Sequence, residues 1–93
     1  MKIGSKKGEI TAMKKTSDNN IKALRKKLGL TAKKLGKATN LDTYTIYKYE
    51  WGIKQLGNAS FVTITKLCKA LSCKPSDLFN DTNTQKYLIE MGM

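Results

Sequence analysis

Apolar side chains recur at helical spacing through most of this chain, separated by residues that start or stop helices. Ile21, Leu24 and Leu28 share one face and predict a first helix over about Asn19–Leu28, with Asp18 or Asn19 as its cap and Gly29 as its stop. Thr31 is a capping residue ahead of a second helix, Ala32 to Ala38, with Leu35 facing inward. Thr39, Asn40 and Leu41 then form a turn in which Asn tolerates a left-handed backbone and Leu41 plugs the corner. Asp42 caps a third helix that runs to about Trp51 and ends at Gly52, with Ile46 and Tyr49 pointing inward. Its Thr, Ile and Tyr residues would also suit a strand, but an Asp cap and a Gly stop at helical distance favour helix.

Residues 53–59 read as a loop around Gly57-Asn58. Ser60 caps a fourth helix, Phe61 to about Leu71, whose apolar stripe is Phe61, Ile64, Leu67, Cys68 and Leu71. Pro75 suits the first turn of a short fifth helix that sets Leu78 and Phe79 on the core. Beyond Asn80 the chain is polar up to Tyr87-Leu88-Ile89-Glu90-Met91, a last helical turn or a small contact patch. The pattern predicts an all-α protein without internal repeats.

Composition narrows what such a protein can do. Ninety-three residues make one domain with tails, too small for a separate catalytic domain. Histidine is absent, which removes the usual base at neutral pH and the commonest metal ligand. Cys68 and Cys73 have no second pair to complete a zinc site, and both sit among apolar residues as small hydrophobes would. No cofactor, metal or catalytic site is expected, and the protein is not expected to be an enzyme. No apolar run approaches the roughly 20 residues of a membrane span. Met1 to Ile10 has lysines without a following apolar stretch, so no secretory signal is expected and the protein is assigned to the cytoplasm of a bacterial or phage-infected cell.

The charge is uneven. The chain carries a formal +11, of which residues 1–20 hold +3, residues 21–54 hold +7 and residues 55–93 hold +1. A solvated lysine face would be unremarkable alone. Here the excess falls on the segment that also reads as helix, four-residue turn and second helix, Thr31 to Gly52, which points to phosphate binding. Residues 1–18 read as a flexible basic arm, with Met13 an alternative start; 19–80 as the domain, with the helix-turn-helix at about 31–51; and 81–93 as a short C-terminal tail with a role in dimer contact.

Ile21-x-x-Leu24-Arg25, Gly29-Leu30-Thr31, Leu35, Leu41-Asp42, Ile46, Glu50-x-Gly52, Leu67-Cys68-x-Ala70-Leu71 and Asp77-Leu78-Phe79 fall in one order and register. In this the chain resembles the Cro/CI-type (XRE-like) helix-turn-helix family over about Asn20 to Phe79. The resemblance implies the five-helix lambda-repressor-like DNA-binding domain. The chain departs from the family pattern in four respects. Ala32 replaces a customary Gln, Lys33 and Lys34 replace residues often acidic, the loop after the third helix is about three residues longer, and Lys74 replaces a capping Ser.

The resemblance places base contacts at Thr43, Tyr44, Tyr47 and Lys48, on the helix that would enter the major groove. Thr methyls and Tyr rings suit the thymine methyl, and Lys48 can donate to guanine O6/N7; ordinary surface packing is the alternative for both tyrosines. Trp51 is either a lid on the core or a phosphate-side contact. Thr31, Lys33, Lys34, Lys37 and Lys54 flank this helix as candidate phosphate contacts. In the family an Arg on the first helix pairs with a Glu at the end of the third, which implies an Arg25–Glu50 ion pair here. Relatives dimerise on inverted half-sites, so a dimeric repressor of phage, plasmid or mobile-element type on a palindromic operator is expected, with Phe79, Tyr87, Leu88 and Ile89 as interface candidates. The alternative is a protein-interaction module, such as the antitoxin of a toxin–antitoxin pair or a phage-encoded inhibitor of a host protein.

Overall fold

A computed structural model describes residues 17–93 of the chain; apart from Ser17 and Asp18, the expected basic arm lies outside the described residues. Six α-helices follow one another: α1 Ile21–Lys27, α2 Ala32–Thr39, α3 Thr43–Trp51, α4 Phe61–Leu71, α5 Pro75–Leu78 and α6 Thr82–Glu90, with a short 3-10 turn at Leu56–Asn58. No strand forms among the described residues beyond a single bridge between Asn19 and Phe79. The ambiguous segment from Thr43 is helical.

Helix starts follow the capping residues. Thr31, Asp42 and Ser60 each accept a backbone N–H with the side-chain oxygen, from Lys34, Tyr44 and Thr63, all at 3.1 Å. Helix ends follow one device. After α1, α2, α3, α4 and α6 the chain turns left-handed at Gly29, Asn40, Gly52, Ser72 and Gly92. The residue after each turn donates back across it, as in Leu30 N to Arg25 O at 2.9 Å, Leu41 N to Gly36 O at 2.8 Å and Ile53 N to Lys48 O at 2.9 Å. This Schellman closure satisfies carbonyls that a helix end leaves open. Ser72 has no glycine to ease that conformation, and nothing in the pattern announced it.

Ile21, Leu35, Ile46, Leu56, Leu67 and Leu78 are fully buried. Each comes from a different element, α1 through α5 and the 3-10 turn, so the core is one cluster to which every one of these elements contributes. Leu56 changes the reading of residues 53–59: the loop is pinned at its middle rather than trailing over the surface. Asp18 completes that anchor, its carboxylate accepting from Leu56 N and Gly57 N, both at 2.9 Å. It is therefore not the cap of α1, and neither is Asn19: the cap position is Asn20, whose side chain makes no capping hydrogen bond, while Asn19 Oδ1 accepts from Ile21 N at 3.2 Å.

Three other expectations change. Phe61 is 62% exposed: as the first residue of α4 its side chain leans back toward the helix start and away from the body. Phe79 is buried in the core, where its backbone pairs with Asn19, so it is withdrawn from any interface. The tail is a full nine-residue helix, α6, opened by Asp81 accepting from Thr84 N at 2.9 Å. It has no buried residue of its own and leans on the core through Leu88.

Candidate nucleic-acid interface

α2 and α3 meet at a tight corner, and one glycine makes it possible. A Cβ on Gly36 would stand 2.6 Å from the carbonyl oxygen of Leu41, a backbone atom that cannot move aside. Asn40, at φ +59°, turns the chain, and Leu41 N returns to Gly36 O. Sequence reasoning missed Gly36, although a glycine inside a helix four residues before Asn40 was a usable signal.

The orientation of α3 is set from its inner side. Ile46, Tyr49 and Glu50 are buried. The Arg25 guanidinium meets Glu50 through two parallel bonds, Nε to Oε2 at 2.7 Å and Nη2 to Oε1 at 3.1 Å, and its Nη1 donates to Leu30 O at 3.0 Å. The hydrogen bond to Glu50 is the main reason that the Arg25 guanidinium is held above its ordinary value, against burial, which works the other way. One residue before Glu50, Asn19 Nδ2 donates to Tyr49 O at 3.1 Å, and burial, with the Asp18 charge, pushes the Tyr49 hydroxyl up. Core contacts hold the middle of α3 to the body, and the ion pair and this tether hold its C-terminal end.

The outward side carries Tyr44, Lys48 and Trp51, at i, i+4 and i+7, with Thr43 and Tyr47 beside them. Tyr44 and Trp51 are 55% and 48% exposed. Trp51 does not cover the core. Its ring stacks on Tyr47, centroids 5.2 Å apart and planes 10° from parallel, and meets Tyr44 edge-on at 6.3 Å. Lys48 Nζ stands 4.7 Å over the Tyr44 ring. The spacing from Tyr44 to Trp51 could have placed the tryptophan on this face from sequence. Tyr47 is half in and half out, packed against the core while stacked on Trp51.

The lysines divide. Lys33 and Lys37 share an open groove with Asn40, Asp42 and Thr43 at the α2–α3 corner. Lys34 is exposed on the first turn of α2, beside its cap Thr31. Lys54 lies at the opposite end of α3, in a separate depression with Tyr49, Ile53, Gln55 and Asn58, its Nζ 5.9 Å from the Tyr49 ring. Cations therefore stand at both ends of the exposed helix. No group of three or more His, Cys, Asp or Glu is gathered for a metal among the described residues. Cys68 and Cys73 are free thiols, and burial pushes Cys73 up to about 12.

A tight α2–α3 corner, an inner Arg–Glu clamp and an exposed second helix also define a known family. The profile of the Cro/C1-type HTH DNA-binding domain matches residues 20–83. The chain belongs to that family. Among solved structures it is similar to the restriction-modification controller protein C.AhdI from Aeromonas hydrophila, with 33% identity and a TM-score of 0.58. The similarity covers 64% of this chain and 86% of that one. A search of curated proteins found no match. Membership identifies the chain as a DNA-binding regulator. No helix among the described residues is long and apolar enough to cross a membrane.

Proposed function

We propose that this protein is a sequence-specific double-stranded DNA-binding transcriptional regulator that lays α3 in the major groove. The observation that carries this reading is the outward face of α3, where Tyr44 and Trp51 are exposed and Lys48 lies over Tyr44, while Ile46, Tyr49 and Glu50 hold the helix from within. Thr43, Tyr44, Tyr47 and Lys48 read base edges. Thr31, Lys33, Lys34, Lys37 and Lys54 neutralise phosphates on either side and set the register. A single domain of this size buries too little surface for tight specific binding, so the protein acts as a dimer on half-sites about 10 base pairs apart. Exposed Tyr87 and Ile89 of α6, with Leu88, supply the apolar contact. Repression of phage, plasmid or mobile-element genes is the finer form of this role; likeness to a restriction-modification controller supports regulation of that general kind.

The same α6 strip favours a second reading, a protein-interaction module whose partner seats on Tyr87, Ile89 and Met91. Binding experiments separate the two. On a site selected from random duplexes, Tyr44→Ala or Lys48→Ala costs about 1–3 kcal/mol and has little effect on random DNA. Lys33→Ala weakens binding to both and flattens the salt slope by about one unit. A protein that selects no sequence and whose α6 variants alone lose binding to a protein partner is the interaction module.

A further inference from the structure

The outward face of α3 is chemically one-sided. Apart from hydroxyls it offers donors and aromatic surface and no free acceptor. The side chains of residues 43–51 include no Asn or Gln and Glu50 is buried under both of its Arg25 contacts; the carboxylate of Asp42 lies ahead of this face, at the helix cap, where Oδ2 accepts from Tyr44 N. In the major groove, adenine is best met by the paired donor and acceptor of an amide, and cytosine by an acceptor. Neither is presented by the exposed side chains of residues 43–51, hydroxyls apart. Guanine shows two acceptors side by side, whereas thymine shows one acceptor, O4, next to a C5 methyl group. A cation beside an apolar surface is the complement of the thymine edge, and that pairing is what Lys48 Nζ over Tyr44 provides.

We infer that Tyr44, Lys48 and Trp51 form a thymine reader and that Trp51 is a specificity-determining residue for the C5 methyl group; this rests on the DNA-reading role proposed above. Trp51 belongs to the same face by its spacing, remains half exposed, and has both neighbouring rings fixed against it, Tyr47 in parallel and Tyr44 by its edge. Three rings already ordered in the free protein lose little side-chain freedom when a methyl group docks on them. A lone tyrosine on an exposed helix would first have to be fixed. The reader therefore discriminates a methyl-bearing pyrimidine from the same base without the methyl, a distinction hydrogen bonding alone cannot make.

The test uses the whole chain and a duplex selected from a random pool, with thymines replaced in turn by deoxyuridine, which keeps the pairing and removes only the methyl. Each contacted thymine so replaced weakens binding about fourfold, the effect of one buried methyl group. Trp51→Ala abolishes the difference between thymine and deoxyuridine, and Trp51→Phe retains it. Equal binding of the thymine and deoxyuridine duplexes by the parent, on a site it still prefers over random DNA, overturns the thymine reader and leaves the regulator standing. A Trp51→Ala protein that still discriminates fully removes Trp51 from the role. Selection that enriches no sequence overturns the regulator, and the reader with it.

Discussion

Removing Arg25 alone should be far more damaging than removing Arg25 and Glu50 together. The Glu50 side chain is 1% exposed and that of Arg25 10%, and the carboxylate receives two of the guanidinium's bonds. Arg25→Ala would leave a buried carboxylate without its partner and Leu30 O without the Nη1 donor. A buried pair broken from one side costs about 3–5 kcal/mol. The whole chain can be expected to have a stability of about 5–14 kcal/mol, so the variant approaches the edge of folding. At a urea slope of about 1–1.5 kcal/mol/M, its midpoint falls by about 2–5 M. The double variant Arg25→Met/Glu50→Leu fills similar space without charge and should unfold within about 1 kcal/mol of the parent or above it. Helical circular dichroism through a urea titration measures both. The double variant should nonetheless lose preference for a selected site over random DNA, because the fork fixes the angle between α1 and α3 more than it adds net stability. A loss under about 1 kcal/mol for Arg25→Ala would refute the buried pair. A double variant as unstable as the single would refute the view that an orphaned charge is the cause.

Other outcomes follow from single sites. Gly36→Ala drives a Cβ to 2.6 Å from Leu41 O, and forcing the α2–α3 corner apart should cost over about 2 kcal/mol; a thermal midpoint unchanged from the parent would show the corner to be soft. Cys73, pushed up to about 12, should react with iodoacetamide at pH 8 over a hundredfold more slowly than a free thiol, and a rate equal to that of the urea-unfolded chain would contradict its burial. Because this pKa is raised on folding, the thiol's contribution to stability is whole below the unfolded value of about 8.5 and is lost as pH rises toward 12. Asp81 is shifted the other way: hydrogen bonds from the Thr84 backbone, then its hydroxyl, hold the carboxyl below its ordinary value. Its cap on α6 is therefore intact above the unfolded carboxyl value and released as pH falls through the lower, folded one; the Thr84 amide resonance, followed by NMR, should move in that acid window and not near neutrality.

What could be read in advance was local. Thr31, Asp42 and Ser60 announce helix starts, and Gly29, Asn40 and Gly52 announce stops, because caps and left-handed turns depend on the residue itself and a few neighbours. What escaped was long-range or conditional. Asp18 lies 38 residues from Leu56 in sequence, and no periodicity connects a carboxylate to a loop amide at that distance. Phe79 looks equally suited to core and interface until its backbone is seen paired with Asn19. Phe61 fits an apolar stripe by number, yet a helix's first turn can overhang the body it caps. Ser72 ends α4 in a left-handed conformation that a glycine would have signalled. In the interface the inward set of α3 was legible from spacing, and the ring-on-ring order of Tyr47, Trp51 and Tyr44 was not, since rotamers are chosen by contacts rather than by register.

The composition of α3 explains why so much of the molecule is devoted to holding it. Its nine residues, Thr43–Trp51, include two threonines, an isoleucine and four aromatic residues, all of which have lower helix propensity than Ala, Leu or Lys. Left alone, such a segment would not be helical in water. Helicity is imposed from outside by the Asp42 cap, by burial of Ile46 and Tyr49, by the Arg25 fork on Glu50, and by the turn at Gly52, where Ile53 N reaches back to Lys48 O at 2.9 Å. Each of these supports acts through the backbone or the inner side, and none uses the side chain of Tyr44, Lys48 or Trp51. The exposed side is thereby freed from any part in making the helix, and can carry aromatic side chains that no surface helix would choose for stability. A helix poor in its own propensity, rigid at both ends and aromatic outside is better suited to reading an apolar feature in the groove than to serving as a solvated face.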